Sequence, residues 1–155
     1  MPAFGGFIQW NVLVEASEMD TCTIIAIAGG SGSGKSVLSQ QILNLLGQQN
    51  CSLIAQDSYY RDHSEEFDVD GGAVNFDHPD ALDFDLMREQ LTNLLDGRRI
   101  HVPEYDYSTH TRTNKTRVLE KPNIIIMEGI LALFDPDVRD LMAIKIYVET
   151  ADDVR

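Results

Sequence analysis

Basic residues are scarce in this sequence. Its 155 residues contain only 12 Lys and Arg against 25 Asp and Glu, which gives a formal net charge of −13 at pH 7. Binding to a nucleic acid backbone needs an extended basic face, so this composition argues against nucleic acid as a partner. A single phosphorylated small molecule needs only one lysine and a set of backbone N–H groups, and that class of ligand stays open.

Long apolar runs and cysteines are also few. No run approaches the roughly 20 apolar residues of a membrane-spanning helix, and the N-terminus lacks a basic region followed by an apolar segment. The two cysteines, Cys22 and Cys51, are too few for a disulfide framework and stand in or beside apolar runs. The sequence therefore predicts a protein without a membrane partner that works in the reducing cytoplasm.

Short apolar runs alternate with helical patterns from residue 21 onward. Leucines recur at helical spacing over residues 35–46 and 85–95, and a glycine follows each segment. Runs of β-branched and other apolar residues, typical of buried parallel strands, are found at residues 23–28, 52–55, 123–127 and 143–148. This alternation predicts a single α/β domain over residues 21–155, built as a parallel sheet flanked by helices.

Two segments do not follow this pattern. Residues 1–20 show no clear period and are interpreted as an N-terminal extension. Residues 100–119 are rich in Tyr, Thr, His and Arg, which predicts a β-hairpin that projects from the sheet.

The strongest motif is GGSGSGKS, which fits G-x-x-x-x-G-K-[ST] and stands between a predicted strand and a predicted helix. Glycines let backbone N–H groups turn inward, and the helix N-terminus adds partial positive charge toward phosphates. Lys35 should reach the β- and γ-phosphates of a nucleotide, and the Ser36 hydroxyl should ligate Mg²⁺. A flexible Gly/Ser linker is the alternative, but linkers rarely join a buried strand to an amphipathic helix. The predicted nucleotide-binding residues are Gly29, Gly30, Ser31, Gly32, Ser33, Gly34, Lys35, Ser36 and Val37.

Two carboxylates follow predicted strands at the edge where open α/β sheets bind ligands. Asp57 comes after the second strand and can accept the proton of an attacking hydroxyl or help to hold Mg²⁺. Glu128 comes after the strand at residues 123–127 and can bind Mg²⁺ directly or through water. Considered singly, Asp57 could instead cap a turn, and Glu128 could be an exposed loop acid.

Five motifs resemble those of uridine kinases in order and spacing. They are GGSGSGKS, DSYY at 57–60, NFDHPDALD at 75–83, PEYDYSTHTR at 103–112 and MEGILAL at 127–133. The chain is therefore similar, over about residues 21–155, to the core of a uridine/cytidine kinase of the phosphoribulokinase/uridine kinase family. The resemblance implies transfer of the γ-phosphate of ATP or GTP, with Mg²⁺, to the 5′-hydroxyl of uridine or cytidine, giving UMP or CMP.

The resemblance also implies roles for single residues. Asp57 is similar to the family's catalytic base, acting with Lys35, and Asp77 to the carboxylate that accepts hydrogen bonds from the ribose hydroxyls. The implied nucleoside-binding residues are Tyr60, Phe76, Asp77, Tyr105, Tyr107, His110 and Arg112. Aromatic neighbours suit a flat base, and a carboxylate suits vicinal hydroxyls. Without the resemblance, the two hairpin tyrosines are compatible with cross-strand pairing, His110 with a turn and Asp77 with a cap.

The uridine kinases that this chain resembles continue into an arginine-rich lid, whereas this sequence ends at Arg155. A lid supplies positive charge and excludes water, so the chain alone is expected to phosphorylate poorly. The family's tetramer makes a homo-oligomer a further expectation. Three alternatives stay open from the residues themselves: a nucleotide-binding module without kinase activity, a nucleotide switch, and a related small-molecule kinase of the phosphoribulokinase type.

Overall fold

A computed structural model describes residues 22–65 and 75–149, and the predicted N-terminal extension lies outside them. The helices and strands follow in the order β1 (Thr23–Gly29), α1 (Lys35–Leu46), β2 (Cys51–Ala55), α2 (Phe84–Leu95), β3 (Ile100–Asp106), β4 (Thr111–Leu119), β5 (Ile124–Gly129), α3 (Pro136–Asp140) and β6 (Ile144–Val148). The α/β fold expected from the alternating pattern is confirmed. In the part of the chain that the structure describes, no helix combines the length and the apolar character that a membrane span requires.

Within the described residues, the main sheet has four parallel strands in the order β2-β5-β1-β6. Strand β1 is central, and its side chains Ile24, Ala26 and Ile27 are fully buried. Both faces of this strand are covered, which explains why its sequence is continuously apolar rather than alternating.

Helices cover the two faces of the sheet. Helix α1 packs on one face, where Leu43 joins Ile27 and Ile126 in a small core. The larger core, on the other face, contains Leu91 of α2 and the buried ends of the hairpin. Two separate apolar layers therefore fix the sheet, and its carboxyl edge is left to the connecting loops.

The strand register brings the candidate functional residues to one edge. Glu128 of β5 lies opposite Ile27 of β1 and Ala55 of β2. The phosphate loop leaves β1 at this level, and Asp57 follows β2. The sheet therefore gathers the loop and both predicted carboxylates at the carboxyl ends of three neighbouring strands.

The predicted hairpin is present as an antiparallel pair, β3 and β4, which forms a separate two-stranded sheet. Its base is buried through Ile100 and Val102, and its register shifts between Pro103 and Tyr105. At its tip, His110 has a φ of 52°, a left-handed conformation that is uncommon outside glycine.

Three short elements of the described residues were not expected from the sequence, one of them a 3-10 turn at Pro79–Ala81. Another 3-10 turn spans Gln56–Tyr59 and carries Asp57. Helix α3 begins at Pro136, and the Asp135 side chain caps it by accepting from the Val138 amide at 2.9 Å. An Asp followed by Pro is a standard helix start, so this signal was readable in the sequence.

Candidate active site

The phosphate loop has the backbone geometry that its glycines predict. Gly32 and Gly34 have φ values of 75° and 92°, which side-chain-bearing residues rarely adopt. At Gly29 the requirement is space, because an added Cβ would meet the Val148 carbonyl oxygen at 2.6 Å and Ser33 Oγ at 2.7 Å. Three glycines are thus needed for two different physical reasons before α1 begins at Lys35.

Seven of the predicted site residues line one cleft of about 220 Å³ at the carboxyl edge of the sheet: Ser31, Lys35, Ser36, Asp57, Tyr60, Asp77 and Glu128. A second hollow of about 300 Å³ lies beside Gly32, Gly34 and Val37, and it shares Lys35 and Ser36 with the first. Lys35 and Ser36 therefore line both hollows, and a phosphate placed next to them is near both.

The Ser36 hydroxyl donates to a Glu128 carboxylate oxygen at 2.6 Å. Two of the three predicted magnesium ligands, which are 92 positions apart in the chain, are therefore in direct contact. Asp57 lines the same cleft, so three side chains offer only oxygen atoms there. Magnesium prefers oxygen ligands and usually takes only one or two from the protein, and this donor set fits it.

A buried glutamine connects the segments that carry the two carboxylates, the 3-10 turn after β2 and the end of β5. Gln56, which is 0% exposed, directly precedes Asp57, and its Oε1 accepts from the Leu131 amide at 2.7 Å. Gly129 directly follows Glu128, and an added Cβ there would collide with the Gln56 side chain. Gln56 therefore fixes the spacing of Asp57 and Glu128. Sequence reasoning missed it, although a glycine at a strand end is a known sign of close approach.

We expect Gly129→Ala to lower the free energy of unfolding by about 1–3 kcal/mol, as overpacking does in other cores. The new methyl group would meet a Gln56 side chain that is fully buried and hydrogen-bonded, so it has little room to move. Urea unfolding followed by circular dichroism measures the effect. The double variant Gln56→Ala/Gly129→Ala should lose less than the sum of the two single variants, and strict additivity would count against the contact.

Aromatic side chains from distant segments meet beside the cleft. The Tyr60 ring centroid lies 4.9 Å from Phe76, 5.4 Å from Tyr105 and 6.4 Å from Tyr107. The His110 ring stacks on Phe76 with centroids 5.1 Å apart. The structure thus brings together five of the residues predicted to bind the nucleoside.

The phenols of this cluster stay protonated. Burial raises the pKa of Tyr105 to about 12, and its hydroxyl has no hydrogen-bond partner within residues 22–65 and 75–149. Burial and then the Asp57 charge raise the pKa of Tyr60 well above the usual phenol range. The pKa of Tyr107 is raised too, by burial and then by a hydrogen bond with Asp57. The neutral Tyr107 phenol therefore acts as a donor toward the Asp57 carboxylate, while the Tyr60 hydroxyl donates to the Phe76 carbonyl oxygen at 3.1 Å.

Asp77 faces the cleft instead of capping a helix. The following 3-10 turn, Pro79–Ala81, is capped by His78, whose Nδ1 accepts from the Asp80 amide at 3.2 Å. The Asp77 amide donates to Asn75 Oδ1 at 3.1 Å, which orients the residue. The cap that the sequence left open for Asp77 is therefore supplied by its neighbour.

Arg112 lies behind the cluster, where its guanidinium donates to the backbone oxygens of Tyr59 and Tyr60 and to the Asp83 carboxylate. His63 is a buried neighbour that sequence reasoning gave no role. Its ring centroid lies 6.0 Å from Phe76, and its amide donates to the His110 carbonyl oxygen at 3.0 Å. Both residues join the hairpin to the segment that follows the 3-10 turn.

Comparison with known proteins gives a consistent result. Residues 24–155 match the Phosphoribulokinase / Uridine kinase family. The chain is similar to a uridine kinase of Lactobacillus helveticus (strain DPC 4571), with 45% identity over 139 residues that cover 89% of this chain and 66% of that protein. It is also similar to a uridine kinase of Streptococcus pneumoniae (strain Hungary19A-6), with 48% identity over 132 residues, 85% of this chain and 62% of that protein.

The chain thus spans slightly less than two thirds of the length of these two relatives. Among solved structures, phosphoribulokinase from Rhodobacter spheroides has the same fold, with a TM-score of 0.63, 15% identity, and coverage of 83% of this chain and 51% of that one.

Proposed function

Because this chain belongs to the phosphoribulokinase/uridine kinase family, we propose that the protein transfers the γ-phosphate of ATP or GTP to the 5′-hydroxyl of uridine or cytidine. One observation carries the proposal. The phosphate-loop residues Lys35 and Ser36 line the same cleft as Asp57 and Asp77, so a phosphate donor and a sugar acceptor would meet there. The similarity to proteins named uridine kinase supports the choice of acceptor.

Each group in the cleft has a chemical task in this proposal. The inward N–H groups of the loop and the Lys35 ammonium hold the phosphates. Asp57 accepts the proton of the 5′-hydroxyl as the oxygen attacks phosphorus. Mg²⁺, when bound, neutralises phosphate charge, and the oxygens of Ser36 and Glu128, with Asp57 beside them, are the groups that would hold it.

The remaining residues of the cleft bind and orient the nucleoside. Asp77 accepts hydrogen bonds from the ribose hydroxyls, and Tyr60 stands beside it on the same cleft. The aromatic cluster packs against the base, with Tyr105 and His110 offering polar atoms to its edge. The family also supports a cytoplasmic location and a homo-oligomer as parts of this proposal.

A product assay tests the proposal. The protein is incubated with ATP or GTP, Mg²⁺ and a panel of nucleosides and sugar phosphates, and mass spectrometry looks for UMP, CMP and other phosphorylated products. Formation of either product supports the kinase. Nucleotide hydrolysis that no nucleoside stimulates would indicate a switch, nucleotide binding without turnover would indicate a binding module, and phosphorylation of a sugar phosphate alone would indicate a kinase of the phosphoribulokinase type.

Asp77→Asn should raise KM for uridine by about tenfold to a hundredfold, because a hydrogen bond to a charged acceptor is among the stronger ones. The loss should vanish with 2′,3′-dideoxyuridine, which lacks both hydroxyls that the carboxylate would bind. Asp80→Asn is the matched control, since Asp80 is an exposed carboxylate in the same segment. An equal loss with both nucleosides would contradict a ribose role for Asp77.

A further inference from the structure

The Arg112 side chain of β4 makes three hydrogen bonds to three separate acceptors. Nε donates to the Tyr60 carbonyl oxygen at 3.1 Å, and Nη2 donates to the Tyr59 carbonyl oxygen at 3.1 Å. Nη1 donates to the Asp83 carboxylate at 3.0 Å. The side chain is 24% exposed, so these bonds are partly shielded from water. A planar fork with donors in fixed directions is the feature that distinguishes arginine from lysine.

The three acceptors belong to two segments, the 3-10 turn that lines the cleft and the start of α2. Tyr59 and Tyr60 lie at the end of the 3-10 turn that carries Asp57. Asp83 caps α2 by accepting from the Leu86 amide at 3.1 Å. The Asp83 amide also donates to the Tyr59 carbonyl oxygen at 2.8 Å, so the turn and the helix are already joined. Arg112, which belongs to β4 of the hairpin, connects the hairpin to both the turn and the helix.

The hairpin brings its own side of the nucleoside pocket with it. Tyr105 lies directly opposite Arg112 in the register of β3 and β4. Its ring is 5.4 Å from the Tyr60 ring, and its hydroxyl is buried. Because Arg112 is hydrogen-bonded to the Tyr60 backbone, the distance between the Tyr60 and Tyr105 rings depends on the position of the guanidinium.

The charge of Asp83 strengthens this contact. Burial raises the pKa of Asp83, but hydrogen bonds from the Leu86 amide and from Arg112 outweigh that effect, and the net pKa lies below the usual carboxyl range. The Arg61 guanidinium, 3.8 Å away, acts in the same direction. The ion pair between Arg112 and Asp83 is therefore fully charged near neutral pH, and charge-assisted hydrogen bonds are the stronger ones.

We propose that Arg112 is a positioning residue that holds the Asp57 turn and the hairpin at the spacing that a nucleoside needs, and that it does not bind the nucleoside itself. This inference rests on the proposed kinase function. All three hydrogen bonds go to protein atoms, and two go to the backbone of the segment that carries Asp57. Replacement of Arg112 should therefore affect the acceptor side of the cleft. The phosphate loop should be unaffected, because it connects other elements, β1 and α1.

Steady-state kinetics of Arg112→Met, Arg112→Lys and the control Arg88→Met test the inference. Arg88 is also an arginine that contacts two carboxylates, Asp85 and Asp137, but its side chain is 42% exposed and it lies outside the cleft. We expect Arg112→Met to lower kcat/KM for uridine by about tenfold to a hundredfold, as small misplacements near a reacting centre do. The affinity for ATP should stay within about twofold, because its loop is not held by this residue.

Arg112→Lys should recover only part of the loss, because an ammonium cannot reach three acceptors in a plane. Arg88→Met should behave as the wild type. Wild-type kinetics in Arg112→Met, or an equal loss of ATP affinity, would overturn the inference.

A double-mutant cycle separates positioning from direct binding. Asp83→Asn keeps the helix cap but removes the charge that Arg112 contacts. If Arg112 acts through this contact, the double variant Arg112→Met/Asp83→Asn should be no slower than Arg112→Met alone. Losses that multiply would mean that Arg112 contacts the nucleoside independently, and the inference would fail.

Hydrogen exchange keeps the test independent of the proposed function. The Arg61 amide donates to the Ala81 carbonyl oxygen and the Asp83 amide to that of Tyr59, each at 2.8 Å. In Arg112→Met both amides should exchange at least about tenfold faster, while those of α1 should not change, since local opening is confined to the weakened unit. Unchanged exchange would overturn the positioning role even if the wild type phosphorylated no nucleoside.

Discussion

Replacement of Asp57 by Asn should lower kcat for uridine phosphorylation by about a hundredfold to ten-thousandfold, the usual range for removal of a general base. The amide has the same shape as the carboxylate but cannot accept the proton of the 5′-hydroxyl. The affinity for ATP should stay within about threefold, since the phosphates are held by Lys35 and by backbone N–H groups. A coupled assay for ADP release and a titration with a fluorescent ATP analogue measure the two quantities.

Asp96→Asn is the matched control for this substitution. Asp96 is an exposed carboxylate that pairs with Arg98 at the far end of α2, so its loss should leave turnover unchanged. An Asp57→Asn protein that turned over at more than about a tenth of the wild-type rate would show that the proton leaves by another route. The base would then have to be sought among the other oxygen groups of the cleft, with Glu128 the first candidate.

The sheet and the phosphate loop were predictable because the sequence encodes them locally. Apolar runs such as residues 23–28 can only be buried on both faces, and GGSGSGKS combines the glycines, the lysine and the serine in a single segment. Asp57 and Glu128 could be placed at one edge because the ends of parallel strands coincide there. The contact of Glu128 with Ser36 agrees with the strand register.

The acceptor side could not be derived from local patterns. Phe76 is distant in sequence from the hairpin that carries Tyr105 and His110, and their packing depends on how the hairpin is placed against the rest of the fold. The register shift between Pro103 and Tyr105 changes the local course of β3, and the sequence pattern does not predict it. Arg112 shows the same limit, because the sequence indicates a cation near the pocket but not which way the guanidinium points.

The two halves of the cleft are held by different means. The phosphate loop is shaped by its backbone, through glycines and the start of α1. The acceptor half is shaped by side chains, through the Gln56 contact with Leu131 and through Arg112. Substitutions in the acceptor half should therefore change nucleoside kinetics with little effect on nucleotide binding. Substitutions of residues that line both hollows should change nucleoside kinetics and nucleotide binding alike.

We expect Lys35→Met to lower kcat/KM for ATP by about a hundredfold to a thousandfold. The loss of a group that stabilises developing charge has an effect of this size in other enzymes. Lys35 lines both the cleft that contains Asp57 and the hollow beside Gly32 and Gly34. Methionine keeps most of the length of the side chain and removes its charge. Unlike Asp57→Asn, this variant should also bind ATP more weakly, which the same titration would detect.

Lys115→Met controls for the loss of one positive charge, since Lys115 is an exposed lysine of β4 that lies outside both hollows. The comparison of Lys35→Met with Asp57→Asn then separates the two halves of the cleft. A loss of turnover with normal ATP affinity belongs to the acceptor side, and a loss of both belongs to the phosphate side. If Lys35→Met kept wild-type ATP affinity and turnover, the γ-phosphate could not lie next to Lys35. The proposed transfer of the phosphoryl group toward Asp57 would then be wrong.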